Sequence, residues 1–362
     1  MRPQVPFFAP DVGLCSMRCM IPRLFMAVVL AFPVLGVGCS APQEPEEPAL
    51  CRIRRQTEER EVRPVTPEEW LQFLVTARVG ERATQSCSGM AIRLPEPSEH
   101  CRAELSEERA EPRPLALSEE SVIDRRLSTQ ARLIWVITHE LPGGDGLGPV
   151  ALVERERTED ESRLAVRAIG VLRARTEHVH LRLEEMGRRE VLIAEGDVCE
   201  DPSAPATCQR AATFMLRRGS SFVQAELHYL PRGYSSRSER DSGGSGYHRR
   251  RCLGRASMVY AREQEAELDG EWRREFSLAS SYEISRGAII VHEQVSAVDE
   301  NTATPEVPPR PFRTSEAQQR WVPYGNATLI TRTESIWDRF LTEDGAMEVP
   351  QSDEDDEGDE AD

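Results

Sequence analysis

The chain contains no lysine; all 45 of its basic residues are arginine. Schiff-base catalysis, a phosphate-loop lysine, a kinase lysine and a Ser-x-x-Lys dyad are therefore excluded. Lysine has AT-rich codons and arginine GC-rich ones, so the composition points to a GC-rich bacterial genome. Aromatic residues make up only 6% of the sequence, too few for the two aromatic girdles of a membrane-spanning barrel. Arginines also fall on both strand parities, as at Arg167 and Arg173 against Arg182. The apolar run Leu24 to Leu35 is shorter than the roughly 20 residues of a spanning helix.

Several catalytic signatures are missing as well. There is no Cys-x-x-Cys pair, and neither His139-Glu140 nor His292-Glu293 is completed by the second histidine of a zincin. Ser245, within Gly243-Gly244-Ser245-Gly246, lacks the Gly-x-Ser-x-Gly spacing of a nucleophile elbow. Gly144-Asp145-Gly146-Leu147-Gly148 has the wrong spacing for a dinucleotide loop and reads as a hairpin turn. With 62 acidic residues, carboxylate pairs occur by chance, so their presence alone does not indicate a glycosidase.

What the chain does have begins at residues 20–39, MIPRLFMAVVLAFPVLGVGC. One basic residue (Arg23), a short apolar core, Pro33 and small residues at Gly36 and Gly38 make an export signal. The cysteine that follows, Cys39, resembles the lipobox of bacterial lipoproteins. That resemblance covers only the first forty residues. It implies lipid transfer to the Cys39 thiol, cleavage before it, and an anchor in the membrane. Ser40, where the lipoprotein pattern reserves aspartate for inner-membrane retention, fits an outer-membrane destination. Ordinary signal-peptidase cleavage with free secretion or a soluble periplasmic product is the alternative.

The formal charge is −17, and eight acidic residues lie between Asp353 and Asp362. A tail of that composition can bury almost nothing and reads as a solvated segment from 343 to 362. The remaining body is only mildly acidic, which together with export argues against nucleic-acid binding. Residues 40–64 are rich in Pro, Glu, Gln and Arg and read as a flexible tether.

After export six cysteines remain: Cys51, Cys87, Cys101, Cys199, Cys208 and Cys252. An even set in an exported chain points to disulfides. Short spacing favours Cys87 with Cys101 and Cys199 with Cys208, leaving Cys51 to reach Cys252.

Thr66-Pro67-Glu68-Glu69 predicts a helix start, with a threonine cap, proline at the first helical position and glutamate three residues after the cap. Val65 is placed to staple on Trp70, while Trp70, Phe73, Leu74 and Ala77 share a face and Gly80 supplies a stop. Residues 81–113 read as an irregular, disulfide-closed excursion, and Ser118 to Leu127 as a second short helix. Residues 65–130 would thus form a small helical region.

From Arg132 the periodicity becomes that of strands. Phe276, Leu278, Tyr282 and Ile284 share a parity, as do Ile289, Val291, Val295 and Ala297. Such runs separated by short turns predict antiparallel neighbours throughout. The expected fold for 131–342 is mainly β, a large antiparallel sheet arranged as a sandwich or partly closed barrel, with the Trp321–Phe340 stretch closing the sheet or ending in a helix.

Two features remain as candidate sites. His178-x-His180 can present two imidazoles on one strand face, but alternation puts them on the wet face and no third ligand is evident, so no metal or other cofactor is expected. Residues 231–251, ending in Arg249, Arg250 and Arg251, form an Arg/Gly/Ser/Tyr loop suited to an anionic envelope lipid or polysaccharide, or a plain insertion. The functional expectation is a cell-envelope binding or structural protein. An envelope hydrolase acting on glycan or ester bonds and a lipocalin-like carrier of an apolar ligand are the alternatives. Lipidation has a direct test: intact-mass analysis of membrane-fraction protein should show an acylated chain beginning at Cys39, and Cys39→Ser should move the protein to the soluble fraction.

Overall fold

A computed structural model describes residues 48–55, 64–79, 83–87, 91–93, 101–102, 112–141, 144–157, 162–199, 208–231, 250–268, 271–304 and 306–343. The chain is mainly β. Its N-terminal part contains β1 (Cys51–Arg55), α1 (Pro67–Leu74), β2 (Val75–Val79), β3 (Ala83–Ser86), β4 (Ala91–Arg93) and β5 (Arg113–Pro114). Then come β6 (Val122–Arg126), β7 (Ala131–Val136), β8 (His139–Glu140), β9 (Asp145–Arg157), β10 (Ser162–Arg175), β11 (Glu177–Met186), β12 (Arg189–Cys199), β13 (Cys208–Arg218) and β14 (Ser221–Gln224). The last part holds β15 (Glu226–Tyr229), β16 (Arg251–Arg255), β17 (Ser257–Val259), β18 (Ala261–Glu267), β19 (Trp272–Ser285), β20 (Ala288–Asn301), β21 (Arg310–Tyr324), β22 (Thr328–Thr331) and α2 (Ile336–Glu343).

These strands form a 12-stranded sheet with the path β11-β12-β13-β14-β10-β9-β7-β6, a seven-stranded sheet β16-β15-β22-β21-β20-β19-β18, and a small sheet β2-β3-β4. The large sheet coils as a half-barrel. One of its faces gathers Trp135, Leu152, Leu172, Leu181, Leu192 and Met215 into a dry core. The opposite face of β12 and β13 supplies Val191, Ile193, Phe214 and Leu216, which meet Ile289, Val291, Trp321 and Leu329 of the second sheet. Residues 191–196 and 211–216 are therefore buried on both sides, and their sequences are near-continuous apolar runs rather than alternating ones. Within the layer, Phe214 is edge-on to Tyr282 at 5.1 Å and to Trp321 at 5.7 Å.

Two helices close the remaining faces. Helix α1 lays Trp70 and Leu74 on Ile134, Val153, Val166 and Ile169. Its start is as expected: Thr66 Oγ1 accepts from Glu69 N at 3.3 Å, Thr66 N donates to Glu69 Oε2 at 2.9 Å, and proline opens the first turn. Helix α2 covers Phe276, Leu278, Val295 and Ala297 with Ile336, Trp337, Phe340 and Leu341. The buried Glu293 carboxylate accepts from Ser335 Oγ at 2.7 Å and from Ile336 N at 3.0 Å. A carboxylate at that position satisfies an otherwise orphaned helix donor and complements the helix dipole.

The β19–β20 register pairs Phe276 with Ala297, Leu278 with Val295, Tyr282 with Val291 and Ile284 with Ile289, which is the parity read from the sequence. Ser285 and Ala288 flank a two-residue turn in which Arg286 and Gly287 both have positive φ, the geometry that matches strand twist. The Cα of Gly287 comes within 3.4 Å of where a Cβ on Gly187 would stand, so these two turn tips pack backbone against backbone.

Several expectations fail. Helix α1 ends at Leu74 and the chain continues as β2, because Val75, Ala77, Arg78 and Val79 pair with β3, with a register shift between Val75 and Ala77, and Cys87 N caps Leu74 O at 3.1 Å; Ala77 is not on the helix and no stop is needed at Gly80. The second helix is a single 3-10 turn, Glu119–Ser121, followed by strand β6. Part of the expected tether is strand β1, paired antiparallel with β10. Not every neighbour is antiparallel: β10–β14 and β15–β22 are parallel. At the first of these, a Cβ on Gly170 would sit 2.2 Å from Phe222 O, so only glycine admits the returning strand.

The disulfides also differ from the expected set. Cys51 bonds Cys87 and Cys101 bonds Cys252, with Cα separations of 6.0 and 5.0 Å. The sheet order decides this, since β1 and β16 carry Cys51 and Cys252 to different sheets. Cys199 and Cys208 are facing Cα partners at the end of the β12–β13 ladder, and the residues between them lie outside the described set, as do residues 1–47, Arg249 and the acidic tail. Glu293→Ala should lower stability by about 2 kcal/mol, by leaving the buried Ile336 N–H unpaired, and thermal unfolding measures it. Glu293→Gln should recover part of that loss, because its amide oxygen still accepts.

Candidate functional site

Three polar arrangements stand out, and they differ in what they leave open. The first is a groove of about 430 Å3 where α1 meets the β6–β7 turn and the end of β9. Trp70, Val65, Val153 and Leu164 give it apolar walls, and Asp124, Arg126, Ser128, Thr129, Gln130, Arg132 and Arg155 give it polar ones. The turn is self-braced: Ser128 Oγ accepts from Gln130 N and Ala131 N, Arg126 Nε donates to Ser128 O, and Arg155 N donates to Gln130 O at 2.7 Å. Arg132 Nη1 donates to Asp124 Oδ2 at 2.6 Å. Burial pushes the Asp124 carboxyl above its ordinary value, and Arg132 only partly opposes it. Among the described residues the Arg155 guanidinium has no ion-pair or hydrogen-bond partner, so the groove holds an uncommitted planar cation beside hydroxyl and amide groups.

The second arrangement is closed. Glu195, on the β12 face that meets the second sheet, receives three donors on Oε1: Tyr260 Oη at 2.6 Å, Tyr282 Oη at 2.7 Å and Arg182 Nη2 at 2.8 Å. Arg210 approaches Oε2 at 3.6 Å and lies over the Tyr260 ring, and Arg182 also donates to Tyr282 Oη. Burial alone would raise the Glu195 carboxyl. The two tyrosine hydrogen bonds and the Arg182 charge outweigh it, and the net direction is downward. Both phenols are pushed up, by burial first and Glu195 second, so they stay protonated as donors and are poor acids. This cluster rivets the two sheets together and offers no free group for chemistry.

The third arrangement brings together three residues singled out from sequence, Cys101, Cys252 and Arg250, with one that was not, His228. His228 is fully buried. Its Nδ1 accepts from Arg250 Nε at 2.8 Å, and its Nε2 lies 3.0 Å from Glu226 Oε2 and 3.5 Å from Cys101 Sγ. Because Nδ1 is occupied as an acceptor, the neutral ring carries its proton on Nε2. Cys252 is the cross-strand partner of His228 at a bulge, and Gly254, with φ of +105°, follows it; such bulges re-aim side chains.

The remaining candidates scatter. Arg250 also stacks over Tyr324 at 5.6 Å, and Arg251 pairs with Glu334, so these two loop arginines are engaged within the fold instead of standing as a free anion-binding cluster. His178, exposed and at positive φ, meets Asp197 at 3.1 Å. A register shift lies between Glu177 and His180, and His180 is turned toward neutrality by burial and nearby arginines. Among the described residues the one cluster of three metal-ligating side chains is Cys101, His228 and Cys252. No sequence signal could have found the groove, because its walls come from four separate stretches; His228 could have been suspected only as a histidine in an apolar strand.

Comparison of the chain with protein-family models, with curated proteins and with solved structures gives no match. Glu195 provides a pH test. Its folded value lies below the unfolded one, so its contribution is present above about pH 4.5 and is lost as pH falls through the folded value. Glu195→Gln should lower neutral-pH stability by roughly 3 kcal/mol and weaken the dependence of stability on pH in that acid range, measured by urea unfolding between pH 3 and 7.

Proposed function

We propose that the chain is an exported cell-envelope protein, lipid-anchored through Cys39, that binds an acidic saccharide in the groove between α1 and the β6–β7 turn. The observation that carries this reading is the uncommitted Arg155 guanidinium. It stands in a groove with an aromatic wall and hydroxyl and amide groups, the chemistry that recognises a carboxylated or phosphorylated sugar ring. The lipid anchor and envelope location rest on the signal-like segment around Cys39 and agree with the paired cysteines of an oxidised compartment.

The groove favours binding over hydrolysis. Asp124 is its only carboxylate among the described residues, whereas glycoside hydrolysis uses two, one on each side of the scissile bond. A carrier of apolar ligands is disfavoured in turn, because the half-barrel face is filled by side chains such as Trp135, Leu172 and Leu192, all with no exposed surface.

Calorimetric titration with an oligouronic acid at low salt should show saturable binding that a neutral oligosaccharide of equal length does not. Arg155→Ala should weaken it about tenfold, the loss of roughly 1.4 kcal/mol expected for a charge-assisted contact, without moving the unfolding midpoint. No binding by the wild type, or equal binding by Arg155→Ala, defeats the reading. The pH dependence follows from Asp124. A bound anion would raise its already elevated value further, so binding takes up a proton and tightens as pH falls through the carboxyl range. Asp124→Asn should flatten that dependence.

A further inference from the structure

The Cys101–Cys252 niche contains more than a buried staple. Cys101 and Cys252 are 0% and 3% exposed, and His228 is 0% exposed. The candidate ligand atoms of all three lie within 4.8 Å of one another, and Glu226 Oε2 lies 3.0 Å from His228 Nε2. Two thiolates, an imidazole and a carboxylate constitute a four-ligand set for a thiophilic divalent cation such as zinc. Two of the spacings, both to His228 Nε2, are already close to what a tetrahedral ion needs. The bond lengths of such sites put sulfur and nitrogen ligands about 3.5 Å apart and nitrogen and oxygen ligands about 3.4 Å apart, against 3.5 and 3.0 Å here. The two sulfurs must separate to about 3.8 Å, which breaking their bond allows, and the Glu226 carboxylate, which stands outside the 4.8 Å group of the other three, must swing toward them.

We infer that the reduced form of this niche is a zinc-type metal site, in which Cys101, Cys252, His228 and Glu226 hold one divalent cation in place of the disulfide. The exchange balances through an external dithiol. The dithiol passes two electrons and two protons to the Cys101–Cys252 bond and becomes a disulfide itself; the two new thiols then lose two protons to solvent as the cation binds both sulfurs. Disulfide and metal are mutually exclusive occupants of one buried space, so the niche reports the redox state of its surroundings.

Arg250 sets a condition on this exchange. In the oxidised form its Nε donates to His228 Nδ1 and selects the ring with hydrogen on Nε2. Ligation through Nε2 moves that proton to Nδ1, where it opposes the Arg250 donor. The arginine must then withdraw, and it acts as a positioning residue that disfavours metal. A glutamine in its place could accept from Nδ1–H, the bond that normally orients a metal-bound histidine.

The experiment uses the full chain, reduced by a dithiol, desalted without oxygen and titrated with Co2+, whose thiolate charge-transfer and tetrahedral bands report the ligand set. The expected result is one Co2+ per chain, displaced by Zn2+, with native circular dichroism. Cys51→Ser/Cys87→Ser and Cys199→Ser/Cys208→Ser should retain these bands. Cys101→Ser/Cys252→Ser should abolish them, and His228→Gln should weaken binding at least tenfold. Arg250→Gln should tighten binding severalfold, an effect that a merely structural arginine would not produce. The inference is overturned if the cobalt bands survive in His228→Gln, if they depend on the other cysteines, if Arg250→Gln leaves affinity unchanged or lower, or if the reduced chain is unfolded and metal does not refold it.

Discussion

The burial of β12 and β13 on both faces is the constraint on which the rest of the structure depends. Each strand must satisfy two cores at once, the half-barrel core through Leu192, Ala194 and Met215 and the inter-sheet core through Val191, Ile193 and Phe214. A one-residue slip would exchange the two sets and break both cores. That double demand fixes the register of the central ladder, and the ladder in turn positions Glu195 where Tyr282 of the second sheet and Tyr260 of the bend between β17 and β18 can reach it. A charged residue in such a layer is tolerated because every donor around it is aimed at it; the rivet adds directional contacts to an interface otherwise made by apolar packing.

The outer faces follow from the same arrangement. With both faces of the central strands occupied, β7, β9 and β10 need a separate cover, and α1 provides it; the far half of β19 and β20 needs another, and α2 provides that. The groove lies at the start of α1, where Pro64, Val65 and Trp70 meet the β6–β7 turn, and Arg155 stands there beside Leu164 of β10. The disulfides hold the N-terminal flank on this scaffold. Cys51–Cys87 ties β1 to the turn after β3, and Cys101–Cys252 reaches across 151 residues to β16.

The sequence was most informative where local periodicity and global packing agree. The shared parity of Phe276, Leu278, Tyr282 and Ile284 named the inner face of β19, and the Thr66–Glu69 box named the start of α1. It was least informative where long-range topology decides. Cys87 and Cys101 are close in sequence, yet they separate because the strand carrying Cys252 is brought beside Cys101. The parallel partners of β14 and β15 could not be inferred from turn lengths. At the end of α1, Ala77 keeps the helical spacing in the sequence, but the strand pairing of β2 overrides it. Arg250 and Arg251 form a cationic run in sequence, but their partners His228 and Glu334 are 22 and 83 residues away. The groove was invisible, since nothing local marks Arg155 as different from the other arginines.

The central functional claim is that ligand recognition occurs at the α1 and β6–β7 groove and not at the 231–251 loop. Amide hydrogen exchange with and without a saturating acidic oligosaccharide locates the contact directly. The account predicts slowed exchange confined to residues 124–132 and 153–155. Protection confined to 231–251, or the same pattern with and without ligand, would contradict it.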